Sequence, residues 1–428
     1  TFAGNPYFID LEALEQDGLL QREEYAQVDW ESAPGDVNYG ALYEKRYPIL
    51  RLAAQRLLAA PPADYTAFLT ENRTWLPDYA AFMALKDAHG GRPWWEWEEG
   101  LRLRHAEDLA AAQRTYASDI SFWQALQYLF FRQWKALKHY VNEKGISLIG
   151  DLPIYVSLDS ADVWARPELF QLGEDHMPTE VAGCPPDAFA ADGQLWGNPL
   201  FDWDGYAWWT ERIQRLCQCF EVLRIDHFRG FEAYYAIPYG APDAREGRWK
   251  KGPGAALFQA VEQTVGPGRI IAEDLGFLTA EVHALRQACG FPGMRVLEFA
   301  FDPDRNSTNP YLPHNLPRHC VAYSGTHDND TLRGWLSSLE GESAPYAREY
   351  LRLSSREPHW DAIAALWQSV ADLTIVQAQD LLGLGSEARM NTPSTVGTNW
   401  RWRSLPGAFT PALSRRLRDL TALYGRLG

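Results

Sequence analysis

Residues 224–230 read RIDHFRG, and two further acidic segments follow them along the chain: IIAEDLG at 270–276 and THDNDT at 326–331. Each segment follows an apolar run that is typical of a buried strand, and each ends where a loop is expected. Carboxylates at separate strand ends are typical of an active site at the mouth of an α/β barrel. The three segments therefore predict both the fold class and the place of the chemistry.

The chain on either side of these segments alternates short apolar runs with longer amphipathic ones. Strands are predicted at 147–154, 222–227, 269–273, 295–299, 320–324 and 374–377, and helices at 207–219, 255–265, 280–289, 360–372 and 410–424. Strands that are apolar on both faces and separated by helices pair in parallel. The pattern favours a closed (β/α)8 barrel of the TIM type over a doubly wound sheet, and no Gly-rich nucleotide fingerprint follows a predicted strand.

One catalytic domain is predicted to span residues 1–428, with two insertions. Residues 8–118 are predicted to form a mostly helical insertion subdomain. Residues 157–205 interrupt the alternation with turn-rich sequence, including CPPD at 184–187 and WGNP at 196–199. Long loops of this kind commonly cover a binding site, so we expect 157–205 to act as a lid that binds substrate.

The composition restricts the partners that the chain can have. The formal net charge is −16, which argues against nucleic acid and against an anionic membrane surface, since both require basic patches. No apolar run approaches the ~18 residues that cross a bilayer. The chain has 18 Trp, 20 Tyr and 19 Phe, and Trp is heavily over-used. Some of these residues must be core, and the other natural use is a cleft for carbohydrate rings, whose apolar faces stack on aromatic side chains.

The five cysteines give no sign of a disulfide framework or a metal site. Their number is odd and their spacing matches no zinc-binding pattern. Reduced cysteines in a cytoplasmic protein are the simplest interpretation. No cofactor and no metal are expected.

The acidic segments contain residue types that suit reactions at a sugar carbon. Arg224 and Asp226 lie two apart on a strand and point the same way, so the guanidinium can keep this carboxylate ionised, as a glycosyl nucleophile must be. Glu273 ends an apolar strand, where partial burial should raise its pKa and suit it to donate a proton. Asp328 supplies a third carboxylate that can hold sugar hydroxyls.

Each of these signals has a plainer interpretation when it is taken alone. An Asp at a strand end is more often a helix cap or a loop hydrogen-bonding residue, and a His-Asp pair can bind metal, although no third ligand at suitable spacing is evident. The combination on successive strands carries more weight. It requires that Asp226, Glu273 and Asp328 reach a single glucose ring.

With these motifs in view, the sequence resembles the amylomaltases, the 4-α-glucanotransferases of glycoside hydrolase family 77. The likeness runs from GNPY at 4–7 almost to residue 428. It includes the three acidic segments and the following motifs: GDLPIY at 150–155, DSADVW at 159–164, PPDAF at 185–189, GQLWGNP at 193–199, RMN at 389–391 and NWRWR at 399–403. So many motifs in the same order make the resemblance highly specific.

The resemblance implies a retaining mechanism on maltodextrins and on starch- or glycogen-derived α-1,4-glucans. It assigns Asp226 as nucleophile, Glu273 as acid/base and Asp328 as stabiliser of the transition state. It also implies substrate-binding roles for eight residues: Asp151, Arg224, His227 and His327 at the cleavage point, and Asp187, Phe189, Gln194 and Trp196 in the loop over the glucan.

Members of this family normally begin with a further segment before GNPY, which carries the first barrel strand. Because this sequence starts at Thr1, just before that motif, we expect a barrel that is incomplete at its N-terminus. Two other functions stay open from the sequence. One is an amylase-type hydrolase of maltodextrins, and the other is a glucan-binding chain that is inactive because it is truncated.

Overall fold

The computed structural model describes residues 1–186, 191–276 and 278–427. The chain forms two compact units. The first contains Thr1–Trp30, Gly40–Ile270 and Leu278–Gly290, and the second contains Glu31–Tyr39, Ile271–Phe277 and Phe291–Gly428.

α-Helices are the main regular structure of the first unit. They are α1 Leu11–Gln16, α2 Tyr39–Ala59, α3 Ala63–Glu71, α4 Leu76–Ala88, α5 Glu99–Arg102, α6 Ala106–Thr115, α7 Ala117–Glu143, α8 Ala161–Ala165, α9 Ala207–Cys219, α10 Ala255–Val265 and α11 Ala280–Ala288. In α7 the buried residues Phe122, Leu126 and Leu129 recur at spacings of three and four, which places them on one helical face. That face packs into a core built with α2, α3 and α4.

A parallel strand pair in the first unit positions the first acidic segment. Strand β1, Ile149–Leu152, pairs with β4, Val222–Ile225, in a register that sets Asp151 opposite Arg224. The N–H of Leu223 in β4 donates to the carbonyl of Arg269, just before β7, Ile270–Ala272, begins. The parallel pairing of these strands confirms the prediction from their apolar sequence.

The first unit also holds an antiparallel sheet that the sequence did not predict. Its strands are β2 Glu180–Cys184, β3 Gln194–Pro199, β5 Ala233–Pro238 and β6 Arg248–Lys251, in the order β3-β2-β5-β6. Two of them lie in residues 157–205, so that stretch contains regular strands where the sequence indicated turns. Gly183 shows why a glycine is needed here, because a Cβ on it would lie 2.2 Å from the carbonyl oxygen of Gln194.

The described residues of the second unit include a sheet of three parallel strands and five α-helices. The strands are β8 Gly293–Val296, β9 Cys320–Tyr323 and β10 Leu373–Ile375, in the order β10-β9-β8. The helices are α12 Leu332–Ser338, α13 Ser343–Tyr350, α14 Pro358–Trp367, α15 Ala378–Leu382 and α16 Pro411–Leu423. Trp335, Trp360 and Ile363 belong to the core of this unit, where α12 and α14 pack together.

The predicted elements match the structure closely where periodicity is strong. The helices predicted at 207–219 and 255–265 have those same bounds, whereas the helix predicted at 360–372 is the shorter Pro358–Trp367. Each of the six predicted strands overlaps an observed strand. Four observed strands are one to four residues shorter than predicted, and the other two, β8 and β10, begin and end one to three residues earlier. Within the described residues, no helix combines the length and the apolar character needed to cross a membrane.

Candidate active site

Arg224 and two carboxylates form the centre of the site in the first unit. Arg224 Nη1 lies 2.7 Å from Asp151 Oδ1 and 2.9 Å from Asp226 Oδ1. The guanidinium is buried, whereas the Asp151 and Asp226 side chains are 41% and 43% exposed. The register of β1 and β4 produces this arrangement, because it sets Asp151 opposite Arg224 and lets Asp226 follow at the end of β4. One cation therefore orients two accessible carboxylates.

His227 makes the turn that ends this strand. Its φ is 52°, in the left-handed region that few non-glycine residues adopt, and a 3-10 turn at Phe228–Phe231 follows. Burial lowers the pKa of His227 to about 4, and Arg229 adds to this effect while Asp226 opposes it. The imidazole is therefore neutral at physiological pH and can donate or accept a hydrogen bond without adding charge.

Strand β3 brings an aromatic side chain against His227. The Trp196 ring meets the His227 ring edge-on, with centroids 4.9 Å apart, and its Nε1 donates to Gln194 Oε1 at 3.0 Å. Trp196 remains 36% exposed, so part of its face is available. The structure thus brings together three of the predicted substrate-binding residues. Two others, Asp187 and Phe189, lie outside the described residues.

Glu273 follows β7 and belongs to the second unit. It is half-buried, and its Oε1 accepts a hydrogen bond from the Leu275 N–H at 2.8 Å, which fixes the carboxylate at the start of its loop. The neighbouring Asp274 is 1% exposed and accepts from the Met294 N–H at 2.6 Å. Asp274 therefore ties the Glu273 backbone to β8. The raised pKa expected for Glu273 stays a prediction.

Asp328 is held by a loop after β9 and by residues from the C-terminal part of the chain. Asn391 Nδ2 donates to its carboxylate, Arg389 Nη2 donates to its carbonyl at 2.6 Å, and its own N–H donates to Thr326 Oγ1 at 3.3 Å. His327 Nε2 lies 3.4 Å from Asp328 Oδ2. The predicted pair His327 and Asp328 therefore forms a single local constellation.

An aromatic ring packs beside this constellation. The rings of Trp400 and His327 lie 5.1 Å apart at 39°, and Trp400 is 46% exposed. The Tyr39 hydroxyl donates to the Trp400 carbonyl at 2.6 Å, and the adjacent Arg401 forms an ion pair with Asp36 through two nitrogens. Residues 31–39 therefore hold the segment that places Trp400.

Sequence reasoning gave no role to three residues that the structure places around Asp328. They are Arg389, Asn391 and Trp400. The sequence does mark these residues, since RMN at 389–391 and NWRWR at 399–403 are both among the family-like motifs. A motif far away in sequence does not reveal which loop it braces, however, and only the fold supplies that information.

The predicted site residues fall into groups in each unit. Asp151, Arg224, Asp226, His227, Gln194 and Trp196 lie in the first unit, and Glu273, His327 and Asp328 lie in the second. The prediction that Asp226, Glu273 and Asp328 reach one sugar ring stays a prediction.

Comparison with known proteins identifies the class to which this fold and these motifs belong. The profile of glycoside hydrolase family 77, described as 4-alpha-glucanotransferase, matches residues 1–407. The chain therefore belongs to this family of glycosyl-transferring enzymes.

Individual relatives agree with the family. The chain is 43% identical to the 4-alpha-glucanotransferase of Clostridium butyricum, with 100% of this chain and 89% of the relative covered. It is 45% identical to that of Thermus thermophilus, with 100% and 87% covered. The amylomaltase of Streptococcus agalactiae, solved in complex with acarbose, superposes with a TM-score of 0.96 at 38% identity, covering 100% of this chain and 88% of that one. This likeness confirms the predicted α/β barrel-type fold class.

Proposed function

We propose that this 4-α-glucanotransferase moves α-1,4-glucan segments between maltodextrins, with Asp226 as nucleophile, Glu273 as acid/base and Asp328 as stabiliser of the transition state. The observation that carries the proposal is the pair of contacts from Arg224 to Asp151 and Asp226. A buried cation that fixes two accessible carboxylates at a strand end suits attack on a sugar carbon.

The first half of the reaction forms a covalent intermediate. A carboxylate oxygen of Asp226 attacks the anomeric carbon of the donor while the bond to the glycosidic oxygen breaks. Glu273 gives its proton to that departing oxygen, so the shortened glucan leaves as an alcohol. The product is a β-linked glucosyl ester of Asp226, in which the configuration has been inverted once.

The second half returns the enzyme to its starting state. The 4-hydroxyl of an acceptor glucan attacks the anomeric carbon, and Glu273 takes the proton of that hydroxyl. The ester bond breaks, Asp226 regains its charge, and an α-1,4 bond forms after the second inversion. Because one α-1,4 bond replaces another, the reaction requires no external energy source.

Asp328 and the aromatic side chains are proposed to govern the outcome. The Asp328 carboxylate, held by Asn391, can accept hydrogen bonds from sugar hydroxyls that strengthen as the ring flattens. The partly exposed ring of Trp196 offers a stacking face for an acceptor sugar, which favours a glucan over water at the second step. Such a bias separates a transferase from a hydrolase.

The proposed substrates are neutral glucans derived from maltodextrin, starch or glycogen, and the proposed location is the cytoplasm. The composition supports both proposals. A net charge of −16 disfavours binding of a polyanion, which agrees with a neutral substrate. An odd number of cysteines suits a reducing compartment such as the cytoplasm.

Incubation with pure maltotriose tests the proposed reaction. We expect glucose and a ladder of longer maltodextrins, with the total number of reducing ends unchanged. A rise in reducing ends would indicate an amylase-type hydrolase. Maltotriose that binds but stays intact would indicate a glucan-binding chain. Chromatography of the products together with a reducing-end assay distinguishes the three results.

Asp226→Asn tests the nucleophile. Its amide cannot form the ester intermediate, so we expect kcat to fall by at least about 10⁴-fold. Asp304→Asn, which changes an exposed carboxylate in the second unit, is the matched control and should retain full activity. Near-normal turnover by a folded Asp226→Asn protein would remove Asp226 from this role.

A further inference from the structure

Glu298 is a buried carboxylic acid to which the mechanism assigns no role. It lies in the 3-10 turn Leu297–Phe299 that follows β8. Its Oε1 is buried and, among the described residues, has no hydrogen-bond partner. A Cβ placed on Gly325 would lie 2.8 Å from this oxygen and 2.6 Å from Gln377 Nε2. The carboxyl group therefore packs directly on the backbone that leads from β9 to Asp328.

Asn329 packs next to Glu298 and is connected to Asp328 by hydrogen bonds. Asn329 lies beside the Glu298 carboxyl group, since Asn329 Cβ and Glu298 Oε1 lie 3.0 and 2.8 Å from the point that a Cβ on Gly325 would occupy. Asn329 Oδ1 accepts from the N–H and from the Oγ1 of Thr326, at 2.9 and 2.8 Å. Thr326 Oγ1 in turn accepts from the Asp328 N–H at 3.3 Å. A displacement of Asn329 would therefore also displace the Asp328 backbone.

The charges around Glu298 favour its neutral form. Burial raises the pKa of Glu298 to about 9, and the carboxylates of Asp380 and Asp330 add to the effect. The charge of Arg389 opposes it. Asp380 is already engaged, since its two oxygens accept from Ser324 Oγ and from the Leu332 N–H, both at 2.7 Å. A second anion at this position would meet repulsion and would lack donors.

We propose that Glu298 is a positioning residue whose carboxyl group packs against Gly325 and Asn329 and thereby holds the Thr326–Asp328 turn in place. The inference rests on the proposed function of Asp328, because positioning matters only if that carboxylate contacts the sugar. The proposal implies that a neutral glutamine can take the place of Glu298. An ionised carboxylate or an empty space at this position would not hold the turn.

Thermal unfolding between pH 5 and pH 10 tests the neutral form without any assay of activity. An unfolded Glu loses its proton near its ordinary value of 4.5, whereas the folded one keeps it to about 9. The stability that Glu298 contributes is therefore complete below pH 4.5 and is lost as pH rises toward 9. Glutamine carries no such dependence. The unfolding midpoint of Glu298→Gln minus that of wild type should therefore increase by about 2 °C or more between pH 5 and pH 9. Above pH 9 this difference should stay constant.

Glu340→Gln is the matched control for this measurement, because it removes an exposed carboxyl group of the same unit. Its midpoint should follow that of wild type at every pH. A difference between Glu298→Gln and wild type that does not change with pH would overturn the neutral form.

Transfer kinetics on maltotriose test the positioning. At pH 6–7, Glu298→Gln should keep kcat within about twofold of wild type, whereas Glu298→Ala should lose about tenfold or more in kcat with a smaller change in KM, since a misplaced Asp328 weakens transition-state contacts. Equal losses in folded Gln and Ala variants, or no loss in either, would overturn the proposal. If wild type itself does not transfer glucan, the proposed function fails, while the unfolding data still report on the protonation of Glu298.

Discussion

At the scale of the residue, the contact geometry of Arg224 leads to a prediction about charge-conserving substitution. A lysine in its place keeps the positive charge but loses the planar group that contacts Asp151 and Asp226 together. We expect Arg224→Lys to lower kcat/KM by about 10- to 100-fold, because one carboxylate then drifts. Arg248→Lys, which alters an exposed arginine that pairs with Glu180, should leave kcat/KM unchanged. If Arg224→Lys were as active as Arg248→Lys, the positive charge at position 224 would suffice to orient the two carboxylates.

His227 provides a second test at this scale, through acid stability. The pKa of His227 in the folded protein is about 4, below its ordinary value of 6.5. Between pH 4 and pH 6.5 the histidine is therefore protonated in the unfolded chain and neutral in the folded one. Stability should therefore fall as pH drops from 6.5 to 4.

His227→Asn suits the left-handed turn and should remove part of this loss. Unfolding midpoints measured from pH 4 to pH 7 check the prediction. His139→Asn changes an exposed histidine and serves as the control. Parallel pH curves for wild type and His227→Asn would contradict the low pKa.

At the scale of the element, α9 is fixed by an arginine in the core. Arg212 is 1% exposed, donates to the carbonyls of Ile154 and Pro153 at 3.1 and 2.7 Å, and stacks near the Trp209 ring. The side chain thereby secures the loop after β1 to the helix.

Arg212→Ala leaves two buried carbonyls without donors and opens a cavity beside Trp209. We expect the free energy of unfolding to fall by about 3 kcal/mol. Denaturant unfolding followed by Trp fluorescence measures this loss. The exposed Arg418→Ala should change stability by less than about 0.5 kcal/mol. A similar small change for Arg212→Ala would show that water replaces the lost donors.

The sequence predicted elements well where burial produces a clear period. The α9 face that carries Trp209 and Ile213 and the apolar strand β4 have strong patterns, and both were placed within one or two residues. The strands β2, β3, β5 and β6 were missed. Gly183 and Gly197 interrupt two of them, and β6 is the polar sequence RWKK, so their pairing depends on partners far along the chain rather than on their own pattern.

The candidate site shows the same division. The pairing of Arg224 with Asp226 follows from their spacing on a strand and could be predicted. The brace of Asp328 by Asn391 could not, because 63 residues separate them and no periodicity links the two.

At the scale of the whole molecule, net charge leads to a prediction about salt. The protein carries −16, but the proposed substrate is uncharged, so long-range fields cannot steer its binding. Between 50 and 500 mM NaCl, where the Debye length shrinks about threefold, kcat/KM on maltotriose should vary by less than about twofold. A larger fall would point to an ionic substrate.

The 43% identity to the Clostridium butyricum relative extends over the whole chain. Gly293 is a position at which the fold itself requires a glycine. A Cβ on it would lie 2.4 Å from Asp274 Oδ2, the side chain that secures the backbone next to Glu273. Glycine at position 293 therefore leaves room for the Asp274 side chain, which in turn positions the proposed proton donor Glu273. A library randomised at codon 293 and selected for growth on maltotriose should recover glycine codons almost alone.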